Sequence, residues 1–240
     1  MSSVVRHYED LLAPVYTWMV GGPEAAFALA QADLAFVLHR GRFAIDLGAG
    51  FGTHTVPLAR AGWRVLAIDS SSALLGQLST LVEGLSVDVR RGDLRSFEEH
   101  LSTDESADLI LCMGDTLTHL DSTDFVIALC STVATRLSSR GRFIATFRDY
   151  TNLSSGDARF IPVRADEHRI LTCFLEEFDG YVQVHDLLHE RANGIWSTRV
   201  SSYRKLRLSP EAVRLACVAA GLQATVEPGS LGMVRLVADA

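Results

Sequence analysis

The stretch Ile45-Asp46-Leu47-Gly48-Ala49-Gly50-Phe51-Gly52 constrains this chain more than any other. A short apolar run, Phe43 to Leu47, reads as a buried strand and runs into three alternate glycines, with a helix from about Thr53. Glycine has no Cβ and tolerates positive φ, so such a turn lets a ligand lie against bare backbone at the carboxyl edge of a sheet. The same pattern also makes a tight strand-to-helix turn with no ligand, and only its surroundings decide between the two.

Those surroundings are α/β in rhythm. Arg64 to Ile68 reads as a second strand, Ser86 to Arg90 as a third, Leu109 to Met113 as a fourth and Arg142 to Phe147 as a fifth. Short apolar runs alternating with helical patterns predict parallel strands joined by crossover helices. Phe125, Leu129, Val133 and Leu137 recur every four residues, with Ser122 as N-cap and Gly141 ending the connection. Ahead of the core, Tyr8 to Leu38 reads as helical, interrupted by Gly21-Gly22-Pro23.

After Phe147 the rhythm changes. Ile170 to Phe178, Tyr181 to Glu190 and Ile195 to Leu206 are strand-like, separated by Asp179-Gly180 and Ala192-Asn193-Gly194, which is hairpin-turn chemistry. Ser209-Pro210-Glu211 then opens a helix that Gly221 closes, and Leu222 to Glu227 and Met233 to Ala238 are two last strands. The expectation is an α/β fold with a Rossmann-like, mostly parallel seven-stranded sheet, helices on both faces, and an antiparallel β meander inserted after the fifth strand. Residues 1–40 are expected to form an N-terminal helical cap, 41–150 a cofactor-binding core, 151–207 the meander as a substrate lid, and 208–240 the final helix and strands.

Two carboxylates suggest what lies in the turn. Asp69 ends the second strand, nineteen positions after Gly50, where a carboxylate can accept both hydroxyls of a ribose. A dinucleotide site wants G-x-G-x-x-G to seat a pyrophosphate, but Thr53 stands at the third glycine's position and the extra glycine is Gly52. Asp46, two residues before Gly48, would repel pyrophosphate yet suits a ligand carrying an ammonium and a sulfonium, such as S-adenosylmethionine.

Asp46-Leu47-Gly48-Ala49-Gly50-Phe51-Gly52 resembles the first motif of class I S-adenosylmethionine-dependent methyltransferases. The likeness continues, in order, with Asp69, with Gly92-Asp93-Leu94 and with Asp108 to Leu120, spanning roughly Phe43 to Phe147. It implies that the Gly48–Ala49–Gly50 turn lies under the methionine part, that Asp69 holds the ribose, that Asp93 bonds the adenine amino group and that Leu94 offers its backbone N–H. Ser70, Met113 and Gly114 are implied to flank the cofactor as well. Asp93 also has a plain alternative, as a helix cap ahead of Arg95. More finely, Gly114-Asp115-Thr116-Leu117-Thr118-His119-Leu120 is similar to the fourth-strand motif of glycine and amino-sugar N-methyltransferases, which often ends in His-Leu. That group commonly has Asn-Ser where this chain has Asp115-Thr116. It also carries an N-terminal tyrosine near the cofactor carboxylate, which Tyr16 matches. The Asn-Pro-Pro-Tyr/Phe motif of adenine and glutamine amide methylation is absent, and no Asp/Asn pair suggests a catechol-type metal site.

Methyl transfer from a sulfonium is an in-line displacement, so the protein mainly positions the nucleophile and excludes water. His119, beyond the fourth strand, is the candidate for accepting a proton, its alternative being packing under the next helix. Asp115 is either an anchor for a substrate ammonium or a cap at the entry to that helix. In the meander and its approach, Arg148, Tyr150, Tyr181, Gln183, His185, His189, Arg199 and Tyr203 can read the substrate or simply pack. His185 and His189 lack a third ligand and make no metal site. Cys112 and Cys130 sit in apolar runs as buried, reduced thiols, and the four cysteines match no metal spacing.

Composition narrows the partners. A net charge of -7, with only the short basic runs Arg90-Arg91 and Arg204-Lys205-Arg207, disfavours nucleic acid. No apolar run approaches the ~20 residues of a membrane span, and Met1 to Asp10 has no signal-peptide core. The expectation is a cytoplasmic methyltransferase, monomeric or homodimeric, acting on a small molecule at nitrogen or oxygen. A tRNA- or protein-directed methyltransferase, a silent cofactor-binding module and a nicotinamide oxidoreductase are the competing readings.

Overall fold

A computed structural model describes residues 3–38, 42–153 and 155–240, so the expected boundary at 40/41 lies outside the described residues. The N-terminal segment is not one helix. It runs α1 (Ser3–His7), a wide π turn (Tyr8–Leu12), a 3-10 turn (Ala13–Val15), α2 (Tyr16–Met19) and α3 (Pro23–Leu34). Pro14 in the 3-10 turn, and Gly21 and Gly22 at φ 93°, break the path.

The core follows as β1 (Phe43–Leu47), α4 (Thr55–Arg60), β2 (Arg64–Asp69), α5 (Ser72–Leu81), β3 (Val87–Arg91) and β4 (Ala107–Cys112). Then come α6 (Thr123–Arg136), β5 (Leu137–Phe147), the strands β6 (Phe160–Ala165), β7 (Arg169–Phe178), β8 (Tyr181–Ala192) and β9 (Ile195–Leu206), and finally α7 (Pro210–Ala219), β10 (Gln223–Pro228) and β11 (Val234–Asp239). The seven-stranded sheet has the order β10-β11-β5-β4-β1-β2-β3, parallel from β3 to β5 and antiparallel at β11 and β10. This is the expected Rossmann-like arrangement. β1 is buried along its whole length, as a parallel strand covered on both faces must be. One face packs under α6 and α7, the other under α3, α4 and α5.

Local signals act where the chain carries them. Ser71, Ser122 and Ser209 each accept a hydrogen bond from a backbone N–H three residues on, and Pro210 opens α7. Gly141, however, does not end the connection. β5 begins at Leu137, and Gly141 lies inside it, where a Cβ would come within 2.8 Å of the Ala107 carbonyl oxygen. The register between β4 and β5 shifts at that place. Helix α4 likewise starts at Thr55, two residues beyond the expected Thr53, because residues 51–54 are spent completing the glycine turn.

The meander is a separate antiparallel sheet, β6-β7-β8-β9, with one strand more than the sequence predicts. β6 is exposed throughout and contains Pro162, which only an edge strand tolerates, so it carries no inward-outward alternation to read. β8, by contrast, alternates cleanly, burying Val182, Val184, Asp186 and Leu188.

Candidate functional site

Strand order reverses between β1 and β4, and in open α/β sheets the crevice outside the carboxyl ends at such a point takes the ligand. Here the ends of β1, β2, β4 and β5 open onto a cavity of about 680 Å3, within the ~300–1,000 Å3 common for ligand sites.

Its floor is the glycine turn. Gly48 and Ala49 donate N–H bonds to the Ile68 carbonyl at 2.8 and 3.0 Å, tying the turn to the end of β2. Gly48 (φ 77°) is required by close approach, since a Cβ there would sit 2.5 Å from the Thr116 side chain. Gly50 (φ 57°) is different. Its nearest neighbour would be Leu74 at 4.0 Å, leaving that side open. Of the expected cofactor residues, Tyr16, Gly48, Ala49, Gly50, Asp69, Ser70, Asp93, Leu94, Met113 and Gly114 all line this cavity.

Asp69 accepts from the Gly50 N–H and the Ser71 N–H, both at 2.8 Å. Each oxygen keeps a lone pair for a further donor. Asp93 caps the following turn through the Arg95 N–H at 2.9 Å and pairs with the Arg95 guanidinium, which holds its pKa below the ordinary carboxylate value. The capping role is thus present, on a residue that also faces the cavity.

Asp46 is a correction. It is 1% exposed and does not reach the cavity wall; its Oδ2 accepts from the Thr55 hydroxyl at 2.7 Å, beneath α4. Burial lifts its pKa to about 6. Of the three expected carboxylates, Asp69 and Asp93 therefore face the ligand space and Asp46 does not.

An aromatic cluster adjoins these groups. Tyr8 stands 6.1 Å from Tyr16 and 5.7 Å from His119, ring centre to ring centre, and Tyr203 stands 5.6 Å from His119. His119 lines the cavity, and its ring nitrogens make no hydrogen bond among the described residues. Burial, with the nearby Lys205 charge, pushes its pKa down to about 3, so it is neutral at physiological pH. Tyr8 and Tyr16 are held protonated, chiefly by burial.

Asp115 is the second correction. It is 4% exposed, off the cavity wall and fully engaged. Oδ1 accepts from the Arg148 N–H at 2.9 Å, and Oδ2 accepts from the Tyr150 hydroxyl at 2.8 Å and from Lys205. A residue so enclosed anchors its loop and cannot reach a substrate.

Of the candidate substrate readers, Arg148 alone lines the cavity. Tyr150 and Tyr203 are buried beside Lys205. His185 is engaged by Glu176 and Ser202, His189 by Thr198, and Arg199 by Glu190 and the Asp10 carbonyl. Tyr181 and Gln183 lie on β8 outside the cavity. No cluster of three or more metal-ligating side chains occurs among the described residues. Within the expected 151–207 segment it is the unforeseen strand that lines the cavity, through Ile161, Pro162, Val163 and Arg164 of β6.

Tyr8, His54 and Lys205 were also missed. Tyr8 lay in a segment legible only as helix. His54, on the cavity wall with its pKa lowered to about 4 by burial, lay in a turn without motif character. Lys205 hid in a basic run; its period-2 spacing from Tyr203 on a strand was the available signal.

Comparison with known proteins fits this geometry. Residues 44–141 match the family model of the methyltransferase domain. The cypemycin N-terminal methyltransferase of a Streptomyces species is 31% identical over 137 residues, 55% of this chain and 53% of that protein. The chain spans about half or less of the length of the curated relatives it matches. Among solved structures, the CcbJ methyltransferase of Streptomyces caelestis superposes with a TM-score of 0.80 at 20% identity, covering 97% of each chain. CalS10, an amino pentose methyltransferase from Micromonospora echinaspora, gives 0.76 at 16% identity, covering 94% of this chain and 95% of that one.

Proposed function

We propose that this chain, which carries a methyltransferase domain on a Rossmann-like fold, transfers a methyl group from S-adenosylmethionine to a nitrogen or oxygen of a small molecule. One observation carries this reading. A single cavity runs from the Gly48–Gly50 turn and the carboxylates Asp69 and Asp93 to a neutral histidine among tyrosines. The donor set fits an adenosyl sulfonium: carboxylates for ribose and adenine at one end, aromatic faces for a cationic sulfur at the other.

When bound, the cofactor supplies a methyl already activated for displacement. The chain's own residues do the rest. Asp69 holds the ribose hydroxyls through its free lone pairs, with Ser70 beside it, and Asp93 and Leu94 meet the adenine. Tyr16, Ala49, Met113 and Gly114 line the methionine end. Tyr8, with its hydroxyl kept protonated, orients the acceptor by donating a hydrogen bond. His119, neutral and with no hydrogen-bond partner among the described residues, accepts a hydrogen bond from the attacking amine or hydroxyl and so aims its lone pair at the methyl. Val5, Met19, Leu29, Ile161, Val163 and Met233 give the cavity apolar wall, which favours an acceptor with an apolar body.

In this reading residues 1–40 cap the site, 41–150 hold the cofactor, 151–207 cover the acceptor and 208–240 complete the sheet. The enzyme works in the cytoplasm as a monomer or homodimer. Among the described residues no helix is long and apolar enough to cross a membrane.

The test is direct. Incubation with cofactor and a metabolite extract, read by mass spectrometry, is expected to yield a product heavier by one methylene. His119→Ala should lower its rate by about 10²-fold while sparing cofactor affinity. A wild-type protein that forms no methylated product and has no affinity for S-adenosylhomocysteine would overturn the proposal.

A further inference from the structure

Three alternate side chains on one face of β9 reach back toward the core. Ser201 shares a 2.8 Å hydrogen bond with His7 Nδ1, whose Nε2 lies 3.0 Å from Asp186 Oδ2 on β8. Tyr203 stacks on His7 at 4.2 Å and stands 5.6 Å from His119. Lys205 donates to Asp115 Oδ2. One strand of the meander thus grips both the N-terminal helix and the loop after β4.

The Lys205–Asp115 pair is almost wholly removed from water, with side chains 10% and 6% exposed. A buried ion pair is weak as a stabiliser compared with apolar packing of the same volume, so what it fixes geometrically is the more informative question. It fixes the first residue of the turn that carries His119. Asp115 takes a left-handed conformation (φ 73°) directly after Gly114 (φ 70°), a strained pairing for a non-glycine residue. Its carbonyl accepts from the Thr118 hydroxyl at 2.7 Å, and Thr116–His119 follow as a 3-10 turn. Its own N–H is held by the Thr146 carbonyl at 2.9 Å.

We propose that Lys205 is a positioning residue for methyl transfer: by gripping Asp115 it sets the turn that presents the His119 ring to the acceptor end of the cavity. This rests on the methyltransferase reading, which gives His119 its task. The grip is electrostatic as well as steric. His119 is faced by Lys205 and Tyr203 from β9, by Asp115 from its own loop, by His7 from α1 and by Tyr8. Lys205 and His7 oppose its protonation, and Asp115 favours it.

The experiment follows the His119 imidazole by NMR against pH in the full-length protein, the signal being assigned with His119→Gln. In the wild type it is expected to stay neutral throughout pH 5 to 8, consistent with a pKa near about 3. Lys205→Met should displace the resonance and move its titration midpoint upward, because the Asp115 charge is left unopposed; Lys205→Arg should restore both. With an acceptor in hand, Lys205→Met should lower kcat by about tenfold or more, with S-adenosylhomocysteine affinity within about twofold of wild type. Where Lys205→Met does not fold, the double variant Lys205→Met/Asp115→Asn removes both charges and should still displace the His119 resonance. A His119 signal and midpoint unchanged in either variant would overturn the proposal. Failure of the wild type to bind S-adenosylhomocysteine would instead sink the methyltransferase reading, leaving the NMR comparison to judge Lys205.

Discussion

Asp46 and Asp69 sit at the ends of neighbouring strands and have opposite fates. Asp69 ends β2 with its oxygens beside backbone N–H donors and the cavity, whereas Asp46 points beneath α4 with one hydroxyl for company. Sequence spacing places both at the sheet's carboxyl edge, but it does not say toward which face each carboxylate turns. Burial raises the folded-state pKa of Asp46 to about 6, above its ordinary value of 3.8. The folded protein therefore binds that proton more tightly than the unfolded chain. The corresponding stability is present below pH about 4 and is lost as pH rises through about 6. Asp46→Asn keeps an oxygen to accept from Thr55 and removes the charge. Thermal unfolding should show it more stable than wild type at pH 8, by on the order of 1–3 kcal/mol, with the difference vanishing near pH 4. Equal stability at pH 8 would mean that Asp46 is better solvated than its enclosure implies.

Among the elements, those with strong periodic signals were legible and those without were not. β1, α6 and α7 carry apolar runs or caps and form where these signals stand, although Leu137, the last residue of the α6 repeat, opens β5 and Phe125, the first, is exposed. The glycine turn was legible too, although two of its glycines serve close packing, Gly48 against Thr116 and Gly52 against Leu78, while Gly50 leaves open space. β6 was not legible, because an exposed edge strand with a proline has neither alternation nor a buried face. Nor was the Asp115–Lys205 pair, which joins residues ninety positions apart. Because β6 lines the cavity, it is expected, on the proposed reading, to govern acceptor binding and not cofactor binding. Ile161→Asp should raise KM for the acceptor about tenfold, through lost apolar contact and a charge set in the wall, and leave S-adenosylhomocysteine affinity unchanged. Steady-state kinetics beside calorimetry checks this; equal losses in both would show that β6 supports the whole cavity.

For the molecule as a whole, the two sheets divide the work. The parallel sheet presents the Gly48–Gly50 turn, Asp69 and Asp93 at a topological switch point, and the meander lines the cavity through β6 and pairs Lys205 with Asp115 in the loop before His119. The central claim is that the cavity over the glycine turn is built for an adenosyl ligand held by Asp69. Isothermal titration calorimetry with S-adenosylhomocysteine, on the wild type and on Asp69→Arg with matching circular dichroism melts, tests it most directly. Saturable one-site binding by the wild type and none by a folded Asp69→Arg is the expected result. Equal affinity in the two proteins, or no binding by the wild type, would contradict it.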